Sequence, residues 1–225
     1  MTVQRLSRLG LVNAYLVRED DGLTLIDAML PRSHKKILAA AAELGAPIVR
    51  IALTHAHGDH IGALDALAAA LPDAAVLISA RDARLLAKDK MMDPGEPDAK
   101  LRGGYPGAST RPTRTFTDGD RVGSLEVHAA PGHTPGQVAF LDPRDGTLFC
   151  ADAFSTLGGV ETTARVNRRF PLPALATWHR PTALATARTL RALDPARLAP
   201  GHGKVVEAPG AAMDEAIARA AKVSL

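Results

Sequence analysis

The sequence predicts a mixed α/β fold, on three observations. Strand-like and helix-like segments alternate along the chain, and the alternation runs twice with a break near Thr110–Phe116. A length of 225 residues at 46% hydrophobic composition suffices to bury one contiguous core without staples. A single domain over residues 1–225 is expected, made of two similar halves of about 1–113 and 114–225.

Leu11–Val17 and Leu23–Ile26 are apolar runs around the turn residues Asp20, Asp21 and Gly22, which signals a hairpin. From Ser33 to Leu44, Ile37, Leu38, Ala41 and Leu44 recur at helical spacing, and Gly45 with Pro47 ends the helix. Ile48–Leu53 returns to strand. A helix over Ile61–Leu71, a strand over Ala75–Ile78 and a short helix over Arg81–Lys88 follow. Residues 93–113 hold five glycines and prolines within Gly103–Pro112 alone, and are expected to form a long loop that borders a binding cleft or simply joins the halves.

Ser124–Ala129, Gln137–Leu141 and Thr147–Ala151 read as strands, the last two joined by a turn on Asp142, Pro143, Asp145 and Gly146. After an irregular stretch, Ser155–Leu175, the pattern gives a helix over Thr182–Leu193, a strand over Arg197–Ala199 and a helix over Ala211–Ala221.

Composition removes several function classes. No unbroken apolar run reaches the roughly 18 residues of a membrane helix, so no membrane partner is expected. The net charge is +3 with no Lys/Arg block, which gives nucleic acid nothing to follow. Cys150 has no second cysteine to pair with, and the start MTVQRLSRLG lacks the apolar stretch of an export signal, so a cytoplasmic location is expected. The expected partner is a small-molecule substrate.

At the end of the strand Ile48–Leu53 comes Thr54-His55-Ala56-His57-Gly58-Asp59-His60, dense in the side chains that ligate zinc through nitrogen and oxygen. Residues two apart in an extended segment point the same way, so His55 and His57 can reach one ion together. Asp59 and His60, beyond the turn Gly58 allows, can be aimed elsewhere. Three further candidates follow apolar strands: His133 in Pro131-Gly132-His133-Thr134-Pro135-Gly136, Asp152 after Leu148-Phe149-Cys150-Ala151, and His202 in Pro200-Gly201-His202-Gly203. Glycine and proline around them permit the close backbone approach that a ligand loop needs. Taken singly each is an ordinary turn residue; together with the first cluster they are not.

HAHGDH, PGHTPG, an Asp after a strand and PGHG, in that order, resemble the metallo-β-lactamase superfamily of binuclear metal hydrolases over roughly residues 11–203. The resemblance implies a four-layer αββα sandwich (α/β, α+β) with the ions at one edge between the halves. It implies a first ion on His55, His57 and His133, a second on Asp59, His60 and His202, and Asp152 bridging both. Two zinc ions per chain are expected, with iron or manganese compatible with the same donors. The implied reaction is hydrolysis by a hydroxide bridging the ions, with Asp59 as the catalytic residue that orients it.

The bridging Asp152 implies the glyoxalase II-like branch and a small ester, thioester or lactone as substrate. Ser155 stands where the family's acyl-homoserine lactonases carry tyrosine, which argues against that subtype. An iron-dependent sulfur dioxygenase-like oxidoreductase on the same fold, and a β-lactamase- or phosphodiesterase-type hydrolase, stay open as alternatives. Arg165 and Arg168, shortly after Asp152, are candidate contacts for an anionic substrate, and His179 beside Trp178 is a further candidate contact. His34 and His128 each stand alone and read as structural, and Cys150 as a packing residue.

Overall fold

The structure, a computed structural model, describes residues 3–223. Val3–Arg8 (β1), Val12–Glu19 (β2) and Gly22–Ile26 (β3) pair antiparallel. Ile48–Ala52 (β4), Ala75–Ser79 (β5) and Arg114–Phe116 (β6) extend the same sheet in parallel, in the order β1-β2-β3-β4-β5-β6. Parallel neighbours need a crossover. His34–Glu43 (α1) makes it from β3 to β4; Gly58–Ile61 (α2) and Leu64–Ala70 (α3) make it from β4 to β5. Ala80–Leu86 (α4) follows β5, and no further helix or strand intervenes before β6, as the glycines and prolines of that segment predict.

The second sheet contains Arg121–Val122 (β7), Leu125–Ala129 (β8), Val138–Asp142 (β9) and Thr147–Ala151 (β10). A separate two-stranded ribbon, Phe154–Ser155 (β11) with Glu161–Thr162 (β12), and the short helix Leu172–Leu175 (α5) interrupt it. The helix Arg180–Ala192 (α6) then leads to Arg197–Pro200 (β13), Val206–Glu207 (β14) and Gly210–Ala221 (α7). The sheet order is β14-β13-β10-β9-β8-β7, with β13 parallel to β10.

Alternation along the strands explains the layers. On β2, Tyr15 and Val17 join Phe140 and Phe149 of the second sheet, while Ala14 and Leu16 join Ile37 of α1 and Leu67 of α3. On β10, Phe149 faces the first sheet, whereas Leu148 and Cys150 pack with Leu190 of α6 and Met213 of α7. Strands buried on both faces read as near-continuous apolar runs, which is why they were legible. The result is helices, sheet, sheet, helices: the four-layer αββα arrangement. No helix among the described residues is long and apolar enough to cross a membrane.

Four differences from the expected elements have local causes. β1 is an edge strand of which Leu6 alone is buried, so it offers no apolar run. The helix expected over Ile61–Leu71 breaks at Gly62, whose N–H goes to the Met29 carbonyl at 2.8 Å instead of continuing the helix. The changeover between sheets falls after Phe116, because β6 pairs with β5. The stretch 155–175 is not wholly irregular, since it carries β12 and α5.

Candidate metal centre

Every candidate ligand lies just past the C-terminal end of a strand or in the helical turn that follows it. β4 of the first sheet delivers His55, His57, Asp59 and His60; β8, β10 and β13 of the second deliver His133, Asp152 and His202. The parallel register of Ala151 with Pro200 sets Asp152 and His202 side by side. Ala151 sits at φ 47°, a left-handed conformation that a non-glycine residue adopts at a cost, and it turns the chain so that Asp152 leaves the sheet at its edge. Asn13 ties the two sheets here, donating its N–H to the Gly201 carbonyl at 2.8 Å and its side-chain amide to the Pro200 carbonyl at 2.9 Å.

These elements bring seven side chains into three overlapping groups. The donor atoms of His55, His57 and His133 lie within 4.8 Å of one another, as do those of His55, His60 and Asp152, and those of Asp59, His60 and His202. His55 and His60 link the groups, and Asp152 lies near members of all three: its Oδ2 is 3.0 Å from His202 Nε2 and 3.3 Å from His133 Nε2, and its Oδ1 is 3.4 Å from His60 Nε2. Asp59 Oδ2 lies 3.5 Å from His202 Nε2.

The hydrogen bonds outside the cluster determine which nitrogen each imidazole turns inward. Thr54 Oγ1 donates to Asp27, so it accepts from His55 Nδ1 at 3.0 Å. Thr177 Oγ1 donates to the Pro173 carbonyl, so it accepts from His133 Nδ1 at 3.0 Å. His60 Nδ1 donates to Asp27 Oδ2 at 2.8 Å, His202 Nδ1 to the Leu11 carbonyl at 2.8 Å, and His57 Nε2 to the Arg102 carbonyl at 3.0 Å. Four rings therefore present Nε2 to the centre and His57 presents Nδ1, which meets His133 Nε2 at 2.9 Å. Two lone pairs at that distance repel unless a cation stands between them. His55 Nε2, His60 Nε2 and Asp152 Oδ1 are buried without a hydrogen bond.

Electrostatics divide the site. Burial pushes His55 and His133 well below the usual imidazole range, and His57 below it, so these three are held neutral and ready to ligate. Burial also opposes charge on His60 and His202, but Asp152 outweighs it and both are raised. Asp152 resists burial through His202 and His60, and its carboxyl is held well below the ordinary value. The second half of the cluster thus holds protons more readily than the first, beside one carboxylate, and a divalent cation can enter it by displacing them.

A cavity of about 250 Å³ opens onto Asp59, His133, Asp152 and His202. Its walls are Leu11 and Val12 of the β1–β2 hairpin, Gly103 and Gly104 of the long loop, and Phe170, Leu172 and Pro173 around α5. Three candidate substrate contacts do not line it. Arg165 pairs with Glu161 at 3.1 Å, Arg168 is exposed on the same segment, and His179 caps α6 by accepting from the Thr182 N–H. A larger cavity of about 450 Å³ near Arg5 and Arg197 lies away from the cluster, and Arg197 there is already paired with Asp145 and Glu207.

Asp27, Thr54, Asp82 and Thr177 support the site without having been singled out in the sequence. Asp27 carried a faint signal, since it too follows an apolar strand. Asp82 is buried and accepts from the Ala56 and Gly136 N–H groups and from Thr134 Oγ1.

The chain matches the model of the metallo-beta-lactamase superfamily over residues 7–202. The uncharacterized protein YobT of Bacillus subtilis is 46% identical over 212 residues, covering 94% of this chain and 91% of that protein. A hydroxyacylglutathione hydrolase of Thermosynechococcus vestitus is 32% identical over 157 residues, covering 68% of this chain and 52% of the relative, so the chain spans about half the length of that enzyme. Among solved structures, TTHA1623 in a di-iron-bound form superposes with a TM-score of 0.67 at 29% identity, covering 93% of this chain and 96% of that one.

Proposed function

This chain belongs to the metallo-beta-lactamase superfamily and is a metal-dependent hydrolase; we propose that it carries two zinc ions and hydrolyses a small ester, thioester or lactone. His55, His57 and His133 would hold the first ion, Asp59, His60 and His202 the second, and Asp152 both. One observation carries this reading: the outer nitrogen of every clustered imidazole is engaged, and the inward atoms His55 Nε2, His60 Nε2 and Asp152 Oδ1 are buried without a hydrogen bond. Buried polar atoms left unpaired cost stability, and a cation is the group that this donor set satisfies.

Divalent ions in such a site lower the pKa of water and polarise a carbonyl oxygen. The chain's own residues do the rest. Asp59, whose side chain is 34% exposed and lines the cavity, accepts a hydrogen bond from the attacking water and orients it. Asp152, buried, keeps a full negative charge at the centre. Phe170, Leu172 and Leu11 exclude bulk water from the reacting carbonyl. In the overall step the oxygen of water bonds to the acyl carbon, the bond to the leaving oxygen or sulfur breaks, and the leaving group takes a proton.

The hydroxyacylglutathione hydrolase relative supports a thioester; the di-iron-bound neighbour supports iron as the metal, on which a second reading, an oxygenase, would rest. The buried, unpaired Cys150 suits a reducing cytoplasm. The test is a panel of thioesters, esters and lactones given to zinc-loaded and iron-loaded protein, with oxygen uptake followed in parallel. Hydrolysis that is lost in Asp59→Ala supports the proposal; oxygen consumption without hydrolysis supports the second reading.

A further inference from the structure

The cavity differs from what the arginine-rich segment suggested. Among the described residues lining it there is no Lys or Arg; the charges facing it are those of the His/Asp cluster itself. Arg102, beside the lining Gly103, offers the site its backbone carbonyl, and that oxygen is engaged by His57. A substrate with a carboxylate on its tail, away from the His/Asp cluster, would meet no Lys or Arg among the lining residues and would lose hydration without replacement.

Leucine surrounds the same opening. Leu172 and Leu11 line the cavity and are 62% and 41% exposed. Phe170 stands beside them, with its ring 5.5 Å from that of His202. Large apolar side chains on two separate elements, both lining one small opening, give it the apolar wall that an apolar ligand needs.

We infer that the substrate is an uncharged acyl compound with a short unbranched apolar tail, seated between Leu11 and the Phe170–Leu175 segment, with its carbonyl carbon at the Asp59 side of the cluster. The inference rests on the hydrolase reading of the site and adds the recognition chemistry. A volume of about 250 Å³ accommodates the acyl part and leaves a bulky leaving group outside. Hydrolysis of such a compound releases an apolar carboxylate, so the reaction that supplies it must be an acyl transfer onto an alcohol or thiol.

The test is a binding series on zinc-loaded protein by titration calorimetry with acetohydroxamate, butyrohydroxamate, hexanohydroxamate and succinic monohydroxamate. They share a metal-seeking head and differ in the tail. Burial of about 0.8 kcal/mol per methylene converts to roughly 15-fold tighter binding for each added pair. The series is expected to tighten in that manner, the succinic compound to bind no better than acetohydroxamate, and Leu172→Ser or Leu11→Ser to flatten the slope. Equal dissociation constants across the series, or tightest binding by the anionic tail, overturn the inference. Turnover is not needed for this reading, so absence of ester hydrolysis would count against the hydrolase proposal while the tail dependence still decides this one.

Discussion

The buried Asp82 carboxylate accepts the backbone N–H of Ala56 at 2.8 Å. Ala56 stands between His55 and His57, and the same carboxylate accepts from Gly136 N at 2.8 Å and Thr134 Oγ1 at 2.9 Å, in the turn that carries His133. One side chain at the start of α4 therefore holds the ligand loops of both sheets in register. Asp82→Ala strands these donors in a buried place, and is expected to destabilise the fold by about 3 kcal/mol. Its metal affinity should fall about 10-fold or more. Denaturant unfolding and competition with a chromophoric chelator measure the two effects.

The same carboxyl gives a pH signature. Burial pushes Asp82 up to about 6 from an ordinary 3.8, against the lowering effect of Thr134, Ala56 and Gly136. A group that binds its proton more tightly when folded adds stability that is complete below pH 3.8 and is lost as pH rises through 6. Asp82→Asn cannot titrate. The stability advantage of wild type over Asp82→Asn should therefore shrink by about 1 kcal/mol between pH 5 and pH 7. An advantage that stays constant, or grows with pH, would remove this account of Asp82.

Gly103 is a steric requirement of the site. It sits at φ 83°, and a Cβ placed on it collides with the His57 ring, which donates to the neighbouring Arg102 carbonyl. Gly103→Ala is expected to displace the loop, free His57 Nε2 and lower kcat/KM by about 10² through misplacement alone. Thermal stability should change by no more than about 1 kcal/mol, because the residue is exposed. Unchanged kinetics would mean that the loop plays no part in aiming His57.

Arg165→Ala provides the contrast. Its partner Glu161 also receives Arg219 at 2.9 Å, so the pair belongs to the contact of β12 with α7. Loss of a partly exposed ion pair is worth about 0.5 kcal/mol. Activity on any substrate should stay within twofold of wild type; a large rise in KM would restore this arginine as a substrate contact.

Much of the molecule was legible because its signals are local. HAHGDH, PGHTPG and PGHG each declare themselves within six residues, and double-sided burial makes β2, β3 and β10 apolar runs. The supporting shell was not legible, because its partners meet only in three dimensions. Asp27 reaches His60 across 33 positions and Thr177 reaches His133 across 44. The carbonyls of Leu11 and Arg102 leave no trace in side-chain identity at all. Arg165 and Arg168 stand close to Asp152 in the chain, but Glu161 takes Arg165 and neither arginine lines the cavity that Phe170 of the same segment reaches.

The central claim is that seven side chains form one site for two metal ions. Elemental analysis of wild type, His133→Ala and His202→Ala, each purified identically and exchanged free of loose metal, tests it most directly. The account predicts about two equivalents per wild-type chain and the loss of one equivalent in each variant. Full occupancy retained in both variants, or no bound metal in the folded wild type, would contradict it.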